Sequence, residues 1–287
     1  MHDRAAPFGI WLVDKPAGPT SHDVVAAIKK QLGASVRVGH AGTLDPFATG
    51  LLVVLIGKAT RLVQFLTTLD KTYRARIRLG ATSETGDPEG PITHTDVPMP
   101  ERTAVLAAVA ELPGARRQQV PALAAVKVGG EPLYRRTRRG EAVELPERDI
   151  AITEARLVAV DLIDGWIDIE VTCSKGTYIR QLATDLGTAL GCGGYCERLR
   201  RLAVGSMHVD DAVPPVAVRS TGGIAPRTAL APMDERILDA HTALDVSHGR
   251  AIAGDADGPV MLVIDDRLIA IGYPRGDGRL QPRVVLA

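Results

Sequence analysis

Apolar positions recur along this chain with two periods, and the period switches where one element gives way to the next. Gly9 to Asp14 is a short apolar run that breaks at Lys15-Pro16-Ala17-Gly18-Pro19, so it reads as a strand entering a stiff turn. Val24, Val25, Ile28 and Leu32 then fall on one helical face, with Thr20 or Ser21 placed to cap the helix and Gly33 to end it. Leu51 to Ile56 is unbroken apolar and predicts a buried strand, followed by a helix from Ala59 to Thr68 with Leu62, Val63 and Leu66 inward. Lys71 to Leu79 alternates strictly, placing Tyr73, Ala75, Ile77 and Leu79 on one face and Arg74, Arg76 and Arg78 on the other. That is a half-buried strand with a basic outer face, or an edge strand guarded by charge. Thr82 to Pro91 reads as a loop, Glu101 to Leu112 as a helix and Pro121 to Val128 as a strand. Ile152 to Leu162 and Trp166 to Cys173 form a hairpin about Asp164-Gly165. From Thr177 a helix repeats Ile179, Leu182, Ala183, Leu186 and Leu190 at helical spacing. Val213 to Pro232 turns to Pro, Gly, Ser and Ala, a linker composition. A helix from Met233 to Leu244 and strands at Val260 to Ile264, Leu268 to Tyr273 and Arg283 to Leu286 are expected beyond it. The division is therefore a main domain over 1–212, a linker over 213–232 and a small strand-rich module over 233–287.

Composition narrows the class. The 287 residues are 45% apolar, enough for a real core, and no apolar run is long enough to cross a bilayer. The N-terminus lacks a signal-peptide core, which points to the cytoplasm. With 34 basic and 34 acidic residues the net charge is zero, so no global field advertises a nucleic-acid partner. The distribution is uneven, however. Arg135, Arg136, Arg138 and Arg139 crowd five positions near Arg116, Arg117 and Lys127, and Glu197 to Leu202 holds a second basic cluster. Charge alone reads the arginine run equally as a solvated helix face or as a phosphate track. Cys173, Cys192 and Cys196 lack paired spacing and, with His208, fall short of a closed zinc site, so reduced thiols and no metal are expected. Gly57-Lys58-Ala59-Thr60 imitates the tail of a phosphate-binding loop. Gly50 is two residues too distant, and alanine stands where Ser or Thr must reach the metal.

The chemistry concentrates in Gly39-His40-Ala41-Gly42-Thr43-Leu44-Asp45-Pro46-Phe47-Ala48-Thr49-Gly50. Glycines allow close approach of a ligand to the backbone, and proline pushes the preceding Asp45 toward an extended or turn conformation that presents its carboxylate. Gly, Asp and Pro are also the ordinary residues of a structural turn. Tyr178 and Arg180 fall in the first turn of the helix that follows Ser174-Lys175-Gly176. An arginine there opposes the helix dipole unless a carboxylate lies near, which makes Arg180 a candidate partner for an acid.

Five blocks in this order carry a resemblance. They are Lys15-Pro16-Ala17-Gly18-Pro19-Thr20-Ser21; Gly39 through Leu52; Lys71-Thr72-Tyr73-Arg74; Cys173-Ser174-Lys175-Gly176-Thr177-Tyr178-Ile179-Arg180; and Leu199-Arg200-Arg201-Leu202. From about Gly9 to Ser206 the chain closely resembles the bacterial tRNA pseudouridine-55 synthases, the TruB family. The C-terminal module resembles a reduced PUA domain, an RNA-binding fold. The resemblance implies an α+β fold, with a mixed, largely antiparallel sheet flanked by helices. It implies an isomerase acting on uridine in the T loop of tRNA, without a cofactor or protein partner. A monomer is expected, since zero net charge leaves any steering local. On the resemblance, Asp45 is the essential catalytic acid. Tyr73 stacks on the target base and is a candidate for removing the C5 proton, and Arg180 pairs with the acid. His40 meets the RNA where the base has left its stack, and Lys15, Tyr178 and Leu199 support or line the pocket. Pro121 to Lys127 departs from the family by holding apolar residues where an aromatic and a serine are usual.

The residue types suit that chemistry. A nucleotide inside a folded RNA must be extruded at a cost of a few kcal/mol, and stacking on an aromatic ring returns about 1–3 kcal/mol. Glycosidases pair two carboxylates to activate water; an isomerase that must keep its leaving base does better with one. A hydrolase of free nucleosides would need a second acid or a metal beside Asp45. An RNA-binding protein without catalysis would make Asp45 dispensable.

Overall fold

One large sheet organises the first two thirds of the chain in the computed structural model, which describes residues 8–121, 127–128, 130–132, 136, 139, 141, 145–219 and 222–286. Its strands lie in the order Gly9–Lys15, Thr49–Ile56, Gly194–Val204, Lys71–Leu79, Trp166–Cys173, Glu147–Asp161 and Gly114–Gln119. Val38–Ala41 pairs with Thr49–Ile56 from the side. Along this order neighbours are antiparallel except at one seam, where Arg200 and Arg201 run parallel to Thr49 and Gly50. The backbones crowd there. A Cβ on Gly50, whose φ is 101°, would sit 2.3 Å from the Arg201 carbonyl oxygen, so only glycine fits. The seam thus docks the end of the glycine-rich loop against the Gly194–Val204 strand.

The alternating segment Lys71–Leu79 is a strand in the middle of the sheet, not an edge. Its buried face, Ala75, Ile77 and Leu79, packs with Ile167, Ile169, Leu182 and Leu186. Its other face is not basic in effect. Arg74 pairs with Glu170 at 3.0 Å, Arg76 with Asp168 at 2.7 Å and Arg78 with Glu197 at 2.5 Å. Asp168 and Glu170 are the register partners of Arg76 and Arg74, so the acids neutralise the stripe across the strands.

Helix Ser21–Leu32 begins with a capping box of Thr20 and Asp23. Ile179–Ala189 lays Leu182, Ala183 and Leu186 onto the sheet. The stretch expected as a helix from Ala59 to Thr68 is instead a 3-10 segment, Gly57–Leu62, and a short helix, Val63–Leu66. Gly57 turns left-handed at φ 64° and its carbonyl accepts from the Thr60 hydroxyl, which tightens the first turn. Met233 to Leu244 also differs, giving a strand, Glu235–Ile237, and then a helix, Ala240–Ser247. Asp239 caps that helix by accepting the Thr242 N–H, which fixes its start seven residues late. The polar strand Gly114–Gln119 carries no apolar alternation and was not expected. The strand expected at Pro121 to Val128 falls mostly outside the described residues; Lys127–Val128 pairs with Glu131–Pro132.

Residues 213–219 and 222–232 run back along the first strand, with Val213 bridging Val13 and Ile224 bridging Ile10. A five-stranded sheet follows, ordered Glu235–Ile237, Val260–Ile264, Arg267–Pro274, Arg279–Val285 and Ile252–Ala253. Met261, Ile271 and Leu286 share an apolar cluster with Ile10, Leu51 and Leu62, joining this sheet to the larger one. Among the described residues no helix is long and apolar enough to cross a membrane.

Candidate active site

A cavity of about 490 Å³ opens where the parallel seam meets the hairpin-to-helix turn at 174–178. Asp45, Tyr73, Tyr178, Arg180 and Leu199 all line it, with Gly42, Lys71, Lys175 and Arg201. Four segments far apart in sequence therefore converge on one hollow. Lys15 and His40 do not line it.

The loop that carries Asp45 is braced from below. Lys15 is fully buried, and its ammonium donates to the carbonyls of Pro16, Pro46 and Ala48 at 2.9, 3.1 and 2.8 Å. Burial pulls its pKa down, while the nearby Asp45 charge works the other way. The buried Ser21 hydroxyl donates to the Leu44 carbonyl at 3.0 Å and accepts the Leu44 N–H at 2.8 Å. Thr20 alone makes the helix cap, leaving Ser21 for the loop. Lys15 thus holds the backbone just after the acid and Ser21 the residue just before it.

The carboxylate of Asp45 meets Arg180 in an ion pair, with Nε 3.1 Å from Oδ2 but off the hydrogen-bonding direction, and Nη2 donating to Oδ1 in a long hydrogen bond of 3.5 Å. The pair is buried on one side only: the Arg180 side chain is 7% exposed and that of Asp45 36%, open toward the cavity. Arg180 has a second carboxylate. Its Nη1 donates to Asp87 at 3.0 Å and to the Thr85 carbonyl at 2.9 Å. Asp87 is itself anchored, since Oδ1 accepts the Thr85 hydroxyl and the Glu89 N–H. Burial raises the pKa of Asp45; Arg180 opposes that rise, Asp87 adds to it, and Lys15 opposes it more weakly. Two anions, not one, offset the arginine at the head of its helix. Gln118, 2% exposed, fixes that helix start by donating to the Tyr178 carbonyl at 3.0 Å and accepting its N–H at 2.8 Å.

Tyr73 faces the cavity from the central strand, and burial pushes its hydroxyl pKa up, so the phenol is neutral near pH 7. Beside it Arg201, 1% exposed, donates from Nε to the Leu51 carbonyl at 2.7 Å and from Nη2 to the Gly42 carbonyl at 3.0 Å. Lys71, 6% exposed, donates to the carbonyls of Thr67 and Leu69 at 2.7 and 2.5 Å. Its pKa is lowered to about 8 by burial and the Arg201 charge. His40 is half-buried; burial and Arg201 lower its pKa, and its Nδ1 has no partner among the described residues.

Asp87, Arg201 and Lys71 were not singled out from sequence as site residues. Arg201 and Lys71 looked like ordinary members of charged runs. Asp87 had a usable signal, because it stands before Pro88 in a Gly-rich loop just as Asp45 stands before Pro46. Among the described residues, several arginines of the basic clusters are paired within the chain. Arg116 donates to the carbonyls of Glu111 and Leu112, Arg117 pairs with Glu147 at 3.0 Å, and Arg200 with Asp14 at 2.8 Å. Arg136 pairs with Glu141 at 2.8 Å and Arg139 with Glu131 at 2.6 Å; Arg135 and Arg138 lie outside the described residues.

Comparison with known proteins bears on this geometry. Residues 29–179 match the family model of the TruB family pseudouridylate synthase N-terminal domain. Residues 180–245 match that of the tRNA pseudouridylate synthase B C-terminal domain. The chain is 42% identical over 296 residues to a tRNA pseudouridine synthase B of Synechococcus sp. (strain WH7803), covering 98% of each. It is 44% identical over 295 residues to the protein of that name from Thermobifida fusca (strain YX), covering 97% of this chain and 98% of the other. In fold it is similar to a chain from a structure of an H/ACA RNP bound to a substrate RNA containing 2'-deoxyuridine. That match has a TM-score of 0.70 at 24% identity, over 98% of this chain and 86% of the other.

Proposed function

The chain belongs to the TruB family of pseudouridylate synthases, and from that footing we propose that it converts uridine 55 in the T loop of tRNA to pseudouridine. The observation that carries the residue assignment is the shared hollow: Asp45, Tyr73 and Arg180 line one cavity, and Asp45 points its exposed side into it. The relatives named for tRNA support the substrate.

The reaction breaks the C1′–N1 bond, forms a C1′–C5 bond, and in net terms moves the C5 proton to N1. The uridine is extruded from its stack, and the ring of Tyr73 takes the place of the lost neighbours, returning about 1–3 kcal/mol. Asp45 acts as the ionised acid residue at the sugar–base junction. Its burial would favour the neutral form, and Arg180 holds it charged and oriented. Leu199 contributes apolar wall that keeps water from the detached base. Tyr73, a neutral phenol, serves the C5 proton as a relay rather than as a standing anion. Lys15 and His40 act from outside the cavity, Lys15 by fixing the Asp45 loop and His40 on the RNA beside the extruded base. We place the enzyme in the cytoplasm as a monomer, with residues 233–287 as a PUA-like RNA-binding module. Release of tritium from tRNA labelled at uracil C5 tests the reading: it is expected from the wild type and absent from Asp45→Asn, which should still bind tRNA. A wild type that binds tRNA and never releases tritium refutes it.

A further inference from the structure

Arg74, Arg76, Arg78, Arg117, Arg156, Arg180 and Arg200 around the large sheet each meet a carboxylate, and Arg116 and Arg201 each donate to two backbone carbonyls instead; Arg148 has neither arrangement. It makes no ion pair with any carboxylate among the described residues. Its guanidinium stacks over the Tyr178 ring, 5.3 Å from the centroid. Nη1 makes one long contact, 3.4 Å, to the Gly176 carbonyl, and Nε is buried with no partner. A half-buried arginine without a counter-ion is costly to hold, and its remaining donors ask for an anion. The position says which anion. Gly176 and Tyr178 both line the cavity, and a Cβ on Gly176 would lie 2.8 Å from Nη1, so the guanidinium lies flat against the turn at the cavity rim. Lys175, exposed and also lining the cavity, has no ion pair among the described residues and stands beside it.

We propose that Arg148, stacked on Tyr178 and flanked by Lys175, is a phosphate-binding rim that grips the RNA backbone next to the extruded nucleotide. The inference rests on the reading of the substrate as RNA. A planar fork suits phosphate, because two N–H groups can meet two oxygens, and stacking on the ring fixes the fork before the RNA arrives. It also ties backbone capture to Tyr178, whose main chain starts the helix bearing Arg180, so gripping the phosphate steadies the acid's partner.

The test is tRNA binding over a salt series for wild type, Arg148→Gln, Arg148→Lys and Lys175→Gln, with tritium release measured alongside. One lost phosphate contact should flatten the slope of log K against log salt by about 0.7–0.9. Arg148→Gln is expected to raise Kd by about tenfold or more and to show that flattening. Arg148→Lys keeps the slope while losing part of the affinity, and Lys175→Gln flattens it separately should Arg148→Gln fail to fold. A purely structural prop for Tyr178 would lower turnover and leave the slope at the wild-type value, which overturns the proposal. If the wild type neither binds nor modifies tRNA, the functional reading has failed and this one falls with it; if it does both and the variants match it in Kd and slope, only this one has failed.

Discussion

Replacing Asp87 with asparagine is the sharpest test of how the acid is held. The change keeps the side-chain shape and removes one charge from a carboxylate that is 4% exposed, 3.0 Å from an arginine that is 7% exposed. Deleting one partner of a buried ion pair costs about 3–5 kcal/mol when the other charge is stranded. Arg180 is not stranded, because Asp45 at 3.1 Å and the Thr85 carbonyl at 2.9 Å remain. The smaller figure applies, about 1.5–3 kcal/mol for one lost charge-assisted hydrogen bond. Catalysis should suffer more than folding. With Asp87 neutral the guanidinium is free to swing onto Asp45, and a displacement of the reacting acid by about 1 Å costs about 10²-fold. The pH dependence has a definite sign. Asp87 is one of the charges that raise the Asp45 pKa, and Arg180 lowers it. Asp87→Asn removes the first and concentrates the second, so the acid limb of kcat/KM moves to lower pH. Tritium release across pH, with a denaturant midpoint for stability, measures both. Wild-type kcat/KM with an unmoved acid limb would refute the claim that Asp87 positions Arg180.

Four further outcomes follow from the same geometry. Asp45→Asn should abolish turnover yet melt at a higher temperature than wild type at pH 7: the folded pKa is raised, so the ionised form burdens the fold, and the gain should vanish in acid where both side chains are neutral. Tyr73→Phe should bind tRNA as wild type does and release tritium more slowly; an unchanged rate removes the hydroxyl from the proton path. Gly50→Ala meets the Arg201 carbonyl at 2.3 Å and adopts a φ of 101°, so urea denaturation should show a loss of about 3 kcal/mol or more. Lys71→Met tests a titration. The folded pKa of about 8 lies below the ordinary 10.5, so the unfolded chain binds more protons between those values. Wild type should therefore gain about 3 kcal/mol relative to the variant as pH rises through that window, and parallel pH–stability curves would exclude the shift.

How much of this was legible in the sequence depended on how local the cause was. The Lys71–Leu79 alternation, the Asp164-Gly165 hairpin and the Leu182–Leu186 helical face are set by neighbours a few residues away, and the structure follows them. The Asp45 loop and Arg180 stood out because unusual residue types sit at strained or electrostatically awkward places. What escaped detection depended on long-range pairing. The arginine face of the central strand looked free until Asp168, Glu170 and Glu197 were placed opposite it from strands about 90 to 120 residues later. Arg201 looked like one of a basic run until the parallel seam turned it inward against Gly42 and Leu51. Gly114–Gln119 had no pattern to read because its partner strand, not its own side chains, makes it a strand.

Asp87 also bears on which chemistry the cavity can host. A nucleoside hydrolase with Asp45 would require a second carboxylate to handle water, and two acids on one arginine could be mistaken for that pair. The geometry says otherwise. An acid–base partner must reach the substrate or a water beside it, at about 5–10 Å from the first carboxylate and facing the same space. Asp87 is 3% exposed and does not line the cavity, and its two oxygens are taken by the Thr85 hydroxyl, the Glu89 N–H and Arg180. It can neither donate to a leaving base nor activate water, so it acts by holding Arg180 and through its charge on Asp45. The second carboxylate thus becomes part of the clamp on the first. On the proposed function, a single acid facing a cavity partly walled by Leu199 and the Tyr73 ring is the arrangement that would let a detached uracil turn and rejoin the sugar before water arrives.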